Sequence, residues 1–330
     1  MTVRFACVAW LIVAATPAIA QIEPPPSASP PGILRIWANA RMATVIESWA
    51  RGFRQDRPDV RIEVMLAGSD VAIAGLYTGK ADIALMGREA AEMEAKAFEW
   101  IHRYPPSRVA VMTGSARAAG ESPALAILIH RDNPLTEISL DQLRDIFGHG
   151  ERRLATWRAL GLKGGWCDRP IALYGPESES GTGRFFRHKV LADSNKLAWD
   201  RLTEFPEPVK KGVQPDTAPS AIARALADDP AGMAIGVLPG PDAPVKAIAL
   251  VGDTGPAIPL TVETVRDHRY PLTRTVYAYV NKVPGKALDE ETAAFLAFVH
   301  SQTGQAIAEQ EGNYLPLHPA IAAGEARAPQ

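Results

Sequence analysis

Between Ile33 and Met86 the chain switches repeatedly between two periodicities, and this constrains its fold more than any other feature of its 330 residues. Ile33–Trp37 is a short apolar run, and Val60–Leu66 alternates at period two, as strands do. Thr44–Gln55 instead carries Val45, Ile46, Trp49 and Phe53 at helical spacing, and a second helix is expected from Val71 to Tyr77. Thr78-Gly79-Lys80 stops that helix before the short buried strand Ala81–Met86. Strand, helix, strand, helix, strand in this rhythm implies a parallel sheet with right-handed crossovers.

The rhythm restarts after about residue 130. Leu125–His130 reads as an apolar strand closed by Asp132-Asn133-Pro134, and Ser139 with Gln142 forms a capping box for a helix carrying Leu140, Leu143 and Phe147. Ile171–Gly175 is a further strand, followed by the turn Ser180-Gly181-Thr182-Gly183 and a helix from Arg184 to Leu191. A helix over Ala218–Ala227 precedes strands at Met233–Leu238, Val245–Val251 and Arg274–Val280, and Glu290–Gln310 is helical with a break at Thr303-Gly304. The expected fold class is therefore α/β with two lobes. Each lobe would present strand ends and helix starts at its carboxyl edge, where open α/β folds bind ligands.

Ahead of this region, Met1–Ala20 has a basic start at Arg4, an apolar stretch and Ala18-Ile19-Ala20, the pattern of a secretory signal peptide cleaved near Ala20. Its apolar run is shorter than the roughly 20 residues that span a bilayer. Residues 21–32 include EPPPSASPPG and are expected to be an extended tether. A periplasmic or secreted location follows. With Cys7 removed, Cys167 would be a lone thiol, expected to be buried.

The charges almost cancel, 35 Lys and Arg against 37 Asp and Glu, which argues against a nucleic-acid partner. Removing the first twenty residues takes only Arg4 and leaves 34 basic residues. Anion affinity must then come from locally aimed donors. Three strand-to-helix turns could supply them. Ser180, Gly181 and Thr182 combine hydroxyls with amides at a helix start, Ser69 follows Gly68 in a similar turn, and Asn39 and Arg41 lie between the first strand and helix. Ser180 is also an ordinary helix cap by residue type, and an exposed Arg41 is by default a solvated charge. Asp82 opens a buried strand; beside an anion it could accept the proton of hydrogen phosphate, and elsewhere it would pair with nearby N–H groups. The seven histidines show no metal-ligand spacing, and no nucleotide-binding or nucleophile-elbow motif occurs, so neither a metal nor a cofactor is implied.

Taken in order, FRQDRPDVRIEV with GSD, GKADIALMGRE, AILIHRDNPLTEISLDQLRDIF, ALYGPESESGTGRFF, YPLTRTVYAYVNK and FVHSQTGQAIAEQEGNYLPL resemble the PstS-like phosphate-binding components of ABC transporters. These belong to the type II periplasmic binding proteins, and the resemblance runs from about Ile33 to Leu317. It implies a bilobal fold with residues 33–127 and 272–330 in one lobe and 128–271 in the other. The lobes would be joined by crossing strands near Leu125–His130 and Arg274–Val280. It further implies a monomer that holds phosphate or another small oxyanion between the lobes and docks on a permease. Ser69, Asp82, Ser180, Gly181 and Thr182 match the family's anion-binding positions.

Four positions depart from that pattern. The family's second-lobe arginine falls on Pro176, its first-loop Ser and Thr fall on Asn39 and Arg41, and the glycine after its loop serine is Asp70. Losing the arginine removes a charge-assisted partner, which Arg41 could restore from the opposite lobe. Asp70, Glu177 and Glu179 would work against an anion. The competing readings are an interaction or sensory protein with an altered anion site and, less favoured, a hydrolase, for which Ser180 has no sequence-local base.

Overall fold

The computed structural model describes residues 30–117, 122–206 and 218–322. The expected signal peptide, and all but the last three residues of the expected tether, lie outside them. Within those three, Gly32 accepts a bond from Arg61 N at 2.8 Å and donates to Glu291 Oε1 at 2.8 Å, so the chain is anchored where folded structure begins.

The alternation becomes β1 (Ile33–Asn39), α1 (Ala43–Asp56), β2 (Arg61–Ala67), α2 (Ser69–Tyr77), β3 (Ile83–Met86), α3 (Glu92–His102) and β4 (Ser107–Thr113). The face predicted for α1 is the face it buries: Val45, Ile46, Trp49 and Phe53 are each at most 2% exposed. Full burial of side chains this large contributes roughly 2–3 kcal/mol each. The second half supplies β5 (Ala126–His130), β6 (Glu137–Ser139), α4 (Leu140–Phe147), β7 (Leu173–Pro176), α5 (Gly181–Leu191), β8 (Leu202–Phe205), α6 (Ala218–Asp228), β9 (Met233–Gly236), β10 (Val245–Ala247) and β11 (Ala249–Val251). After α7 (Val262–Arg266) the chain returns as β12 (Thr275–Val280), α8 (Glu290–His300) and α9 (Gln302–Gln310). The break in the last segment falls at Ser301, which caps α9 by accepting from Gly304 N.

Two five-stranded sheets result, ordered β2-β1-β3-β12-β4 and β10-β5-β9-β7-β8. Parallel pairing holds for β1 with β2 and β3, but β12 runs antiparallel between β3 and β4, so the first sheet is mixed. The crossings fall near the expected places, at the edges of the strands named for them. β5 lies wholly in the second sheet and β12 wholly in the first, and the chain crosses before each of them. There the two crossings run side by side, bonded from Gly114 N to Arg274 O at 2.9 Å and from Leu125 N to Leu272 O at 3.1 Å.

The region after β3, which lacks a clear apolar pattern, holds α3 and β4. α3 buries only Phe98 and His102, so few of its residues advertise a core face. Cys167 is half-buried rather than buried, with its Sγ 3.3 Å from Asp168 Oδ2 beside exposed charges. No helix among the described residues is long and apolar enough to cross a membrane.

Candidate functional site

The carboxyl ends of β1 and β3 in one sheet and of β7 in the other open on the same cleft, with a volume of about 260 Å³. Each strand end delivers its residues through a local capping rule. Asn39 ends β1, and its Oδ1 accepts from Arg41 N at 3.0 Å, which fixes the turn into α1 and sets Arg41 at the cleft. Ser69 is the first residue of α2, a helix held tightly on β1: a Cβ at Gly75 would lie 2.3 Å from the Trp37 ring. From the second lobe, Ser180 caps α5, accepting from Gly183 N at 3.1 Å and donating to Glu177 O at 2.7 Å.

Both helix starts aim backbone donors at this space. The first helical bond of α2 runs from Ala72 N to Gly68 O, and in α5 the Ser180 cap takes Gly183 N and Arg184 N. The amides of Ser69, Asp70, Gly181 and Thr182 therefore have no acceptor within their helices, and the helix dipoles favour negative charge there.

Arg274 supplies the buried cation. It is 5% exposed, lines the cleft from the second crossing, and donates to Gly87 O through Nε at 3.0 Å and Nη2 at 2.6 Å. Nη1 reaches across to Thr182 Oγ1 at 3.3 Å, and the guanidinium sits over the Phe185 ring at 5.1 Å. These bonds use three of the five guanidinium N–H donors. Burial pushes Arg274 down to about 10, with Tyr314 and Glu89 opposing the shift, so it remains charged at neutral pH.

Outside the cleft, ion pairs join the lobes. Lys189 Nζ lies 3.0 Å from Glu89 Oε1, and Arg184 Nη1 lies 3.4 Å from Glu94 Oε1. Arg88 grips the same Glu94 through two bonds of 2.7 Å. Burial alone would raise both carboxylates, yet both are held below their ordinary range, Glu89 chiefly by Lys189 and Glu94 chiefly by Arg88.

Residues 25–303 match the family described as the PBP superfamily domain. The chain is 30% identical over 287 residues to the phosphate-binding protein PstS of Pseudomonas aeruginosa, a span covering 85% of this chain and 82% of that protein. The chain belongs to the PstS-like family. Among solved structures, an ABC-type phosphate transport receptor from Vibrio cholerae shares its fold with a TM-score of 0.59 at 21% identity, covering 86% of this chain and 99% of that one. A phosphate ABC transporter substrate-binding protein from Clostridium perfringens, solved with bound phosphate, aligns with a TM-score of 0.52 at 21% identity over 86% and 99% of the two chains.

Six of the seven positions singled out in the sequence, Asn39, Arg41, Ser69, Ser180, Gly181 and Thr182, line the cleft of this PstS-like chain together. Asp82 does not. It sits at the amino end of β3, five residues and about 16 Å of extended chain from Gly87 at the carboxyl end. Its carboxylate is bound by Arg35, with backbone N at 2.7 Å, Nε at 3.2 Å and Nη2 at 2.8 Å. A carboxylate just ahead of β3, beside an arginine near the start of the parallel strand β1, makes a buried pair, in keeping with the reading of Asp82 as a partner of nearby N–H groups.

The carboxylates expected to oppose an anion are also placed elsewhere. Asp70 and Glu177 are exposed, Glu179 pairs with Arg187 at 2.7 Å, and no Asp or Glu lines the cleft among the described residues. Arg274, Gly87 and Ser122 line the cleft without having been singled out. The available signal was an arginine opening the otherwise apolar strand TVYAYV, the same kind of anomaly that drew attention to Asp82.

Proposed function

We propose that this chain captures a small oxyanion, phosphate foremost, between its lobes and delivers it to an ABC permease. The observation that carries this reading is Arg274, a buried guanidinium that makes no salt bridge among the described residues, facing a cleft where two helix starts converge. A bound anion would relieve the desolvation of that charge and gain charge-assisted bonds of about 1.5–3 kcal/mol each. Donors from both lobes give the ligand higher affinity for the closed arrangement, which is the differential that drives closure.

Capture proceeds without bond chemistry in this reading. Of the cleft hydroxyls at the head of α5, Ser180 Oγ is occupied as a helix cap and Thr182 Oγ1 faces the Arg274 guanidinium, which is no base, and no histidine lines the cleft among the described residues. The protein would act as a monomer in the periplasm, or outside the cell, once residues 1–20 are removed. Calorimetric titration with phosphate tests the proposal: saturable heat with one site per chain is expected, and the absence of heat and thermal shift at millimolar phosphate would refute it.

A further inference from the structure

We infer that the ion pairs Glu89–Lys189 and Glu94–Arg184 form a latch between the lobes that biases the empty chain toward the closed arrangement and thereby sets its affinity for the anion. The effect on affinity rests on the oxyanion-capture reading, whereas the bias toward closure does not. Glu89 and Glu94 stand in and just after the turn from β3 into α3, and the first lobe fixes that turn by itself. Arg88 donates to Glu89 O at 2.9 Å and grips Glu94 through two bonds of 2.7 Å, while Ala91 N donates to Glu94 Oε2 and Ala90 N to the Tyr279 hydroxyl, each at 2.7 Å. Both carboxylates are thereby pre-set, so meeting the second lobe costs little further ordering on this side. Opposite them lies α5 with Arg184, Arg187, His188 and Lys189. Arg187 and His188 are answered within the second lobe, by Glu179 and Asp193. Arg184 and Lys189 reach across, to Glu94 at 3.4 Å and Glu89 at 3.0 Å.

The two pairs are not equivalent. If the lobes part, Glu94 keeps Arg88, and Arg184 keeps Glu179 at 3.3 Å. Glu89 has Lys189 as its one ion-pair partner among the described residues, so opening takes away its cation. Their side chains are 15% and 35% exposed, and solvent screens such a pair less than a freely exposed one. The latch is continuous with the cleft on both lobes. Gly87 O, which takes two bonds from Arg274, immediately precedes Arg88, and Thr182, which Arg274 meets at 3.3 Å, lies two residues before Arg184. None of the four latch residues lines the cleft itself. They act on the anion through the lobes: when only the closed form holds a ligand, the apparent dissociation constant is the intrinsic one divided by the closed fraction. Weakening the latch lowers that fraction and with it the affinity.

Small-angle scattering of the empty chain and calorimetric titration with sodium phosphate test the latch. Lys189→Glu turns its attraction into repulsion and is expected to give a larger radius of gyration than empty wild type, with the phosphate dissociation constant raised roughly fivefold or more. Combining Glu89→Lys with Lys189→Glu restores opposite charges and is expected to return both readouts toward wild type. Glu89→Gln leaves α5 untouched, is expected to shift both in the same direction by less, and decides the question if Lys189→Glu does not fold. A single variant as compact as wild type when empty, or a double variant as expanded as Lys189→Glu, overturns the latch. An expanded Lys189→Glu chain that binds phosphate like wild type overturns its link to affinity. No phosphate heat from wild type overturns anion capture alone, because the scattering comparison needs no ligand.

Discussion

Arg274 Nη1 and Thr182 Oγ1 meet at 3.3 Å across the cleft, so the residue just before β12 of the first sheet touches the first turn of α5 in the second lobe. The contact places a buried cation between the lobes and beside the amides of both helix starts. In the proposed function, closure and anion capture would share this one side chain.

Thr182→Ala removes that contact and a cleft hydroxyl while leaving the cap on Ser180. A neutral hydrogen bond contributes about 1 kcal/mol, so phosphate affinity is expected to fall by roughly fivefold to tenfold, with the melting temperature of the empty protein nearly unchanged. Arg41→Ala is expected to have an effect of similar size, because Arg41 is an exposed charge at the rim and is screened by solvent. Titration of each variant measures the loss, and a loss for Arg41→Ala exceeding that of an Arg274 variant would reverse their assigned roles.

The two glycines of the α5 turn are expected to respond oppositely. A Cβ at Gly183 would lie 2.2 Å from Glu177 O and 2.7 Å from Ser178 Cα, both backbone, whereas a Cβ at Gly181 has nothing within 4 Å. Gly183→Ala must shift the turn, lowering both melting temperature and anion affinity. Gly181→Ala is expected to keep the melting temperature within about 1–2 °C, as a surface change of less than 0.5 kcal/mol would. Thermal scans of the pair decide this.

Asp82→Asn separates stability from binding. Breaking a buried ion pair costs about 3 kcal/mol at the lower end of the usual range, appropriate here because Arg35 is 22% exposed. For a domain of this size that is roughly 6–12 °C in Tm. Phosphate affinity at a temperature where the variant is folded is expected to match wild type within about twofold, and a selective loss of binding would return Asp82 to the site.

Acid is expected to destabilise the protein through two histidines. Burial lowers both His102 and His268 from their ordinary 6.5, with His318 adding to the shift at His268. The unfolded chain therefore binds more protons than the folded one between the folded pKa values and about 6.5. Stability is full above that window and falls as the pH drops through it. His268 Nε2 lies 2.7 Å from Thr113 Oγ1, at the end of β4 where the first crossing begins. Its backbone φ of 53° suits asparagine. Denaturant titrations at pH 7.5 and 5.5 are expected to show a smaller acid loss for His268→Asn than for wild type.

Much of the fold was readable because it is written in short periods. The face of α1 is visible from Val45, Ile46, Trp49 and Phe53 alone, and the caps at Ser139 and Ser180 identify helix starts without reference to the rest of the chain. Six cleft residues were found for the same reason, since strand-to-helix turns are local. Asp82 and Arg274 are the instructive failures. Each is a charged residue opening a buried strand, and their roles depend on strand direction and on a partner far away in sequence: Arg35 at 47 residues for one, Thr182 at 92 and Gly87 at 187 for the other. No local pattern distinguishes a carboxylate paired at the amino end of a sheet from one facing a cleft. The antiparallel insertion of β12 has the same origin, because pairing across about 190 residues leaves no trace in the strand's own sequence.

The most direct measurement is phosphate binding by Arg274→Gln against wild type. The glutamine amide can still donate to Gly87 O and the buried charge is removed, so the fold is expected to be retained, with the empty protein's melting temperature within a few degrees of wild type. Losing two charge-assisted bonds of about 1.5 kcal/mol each weakens binding by roughly 100-fold or more. That loss, with a folded variant, is what the account predicts; Arg274→Gln binding phosphate as tightly as wild type would contradict it.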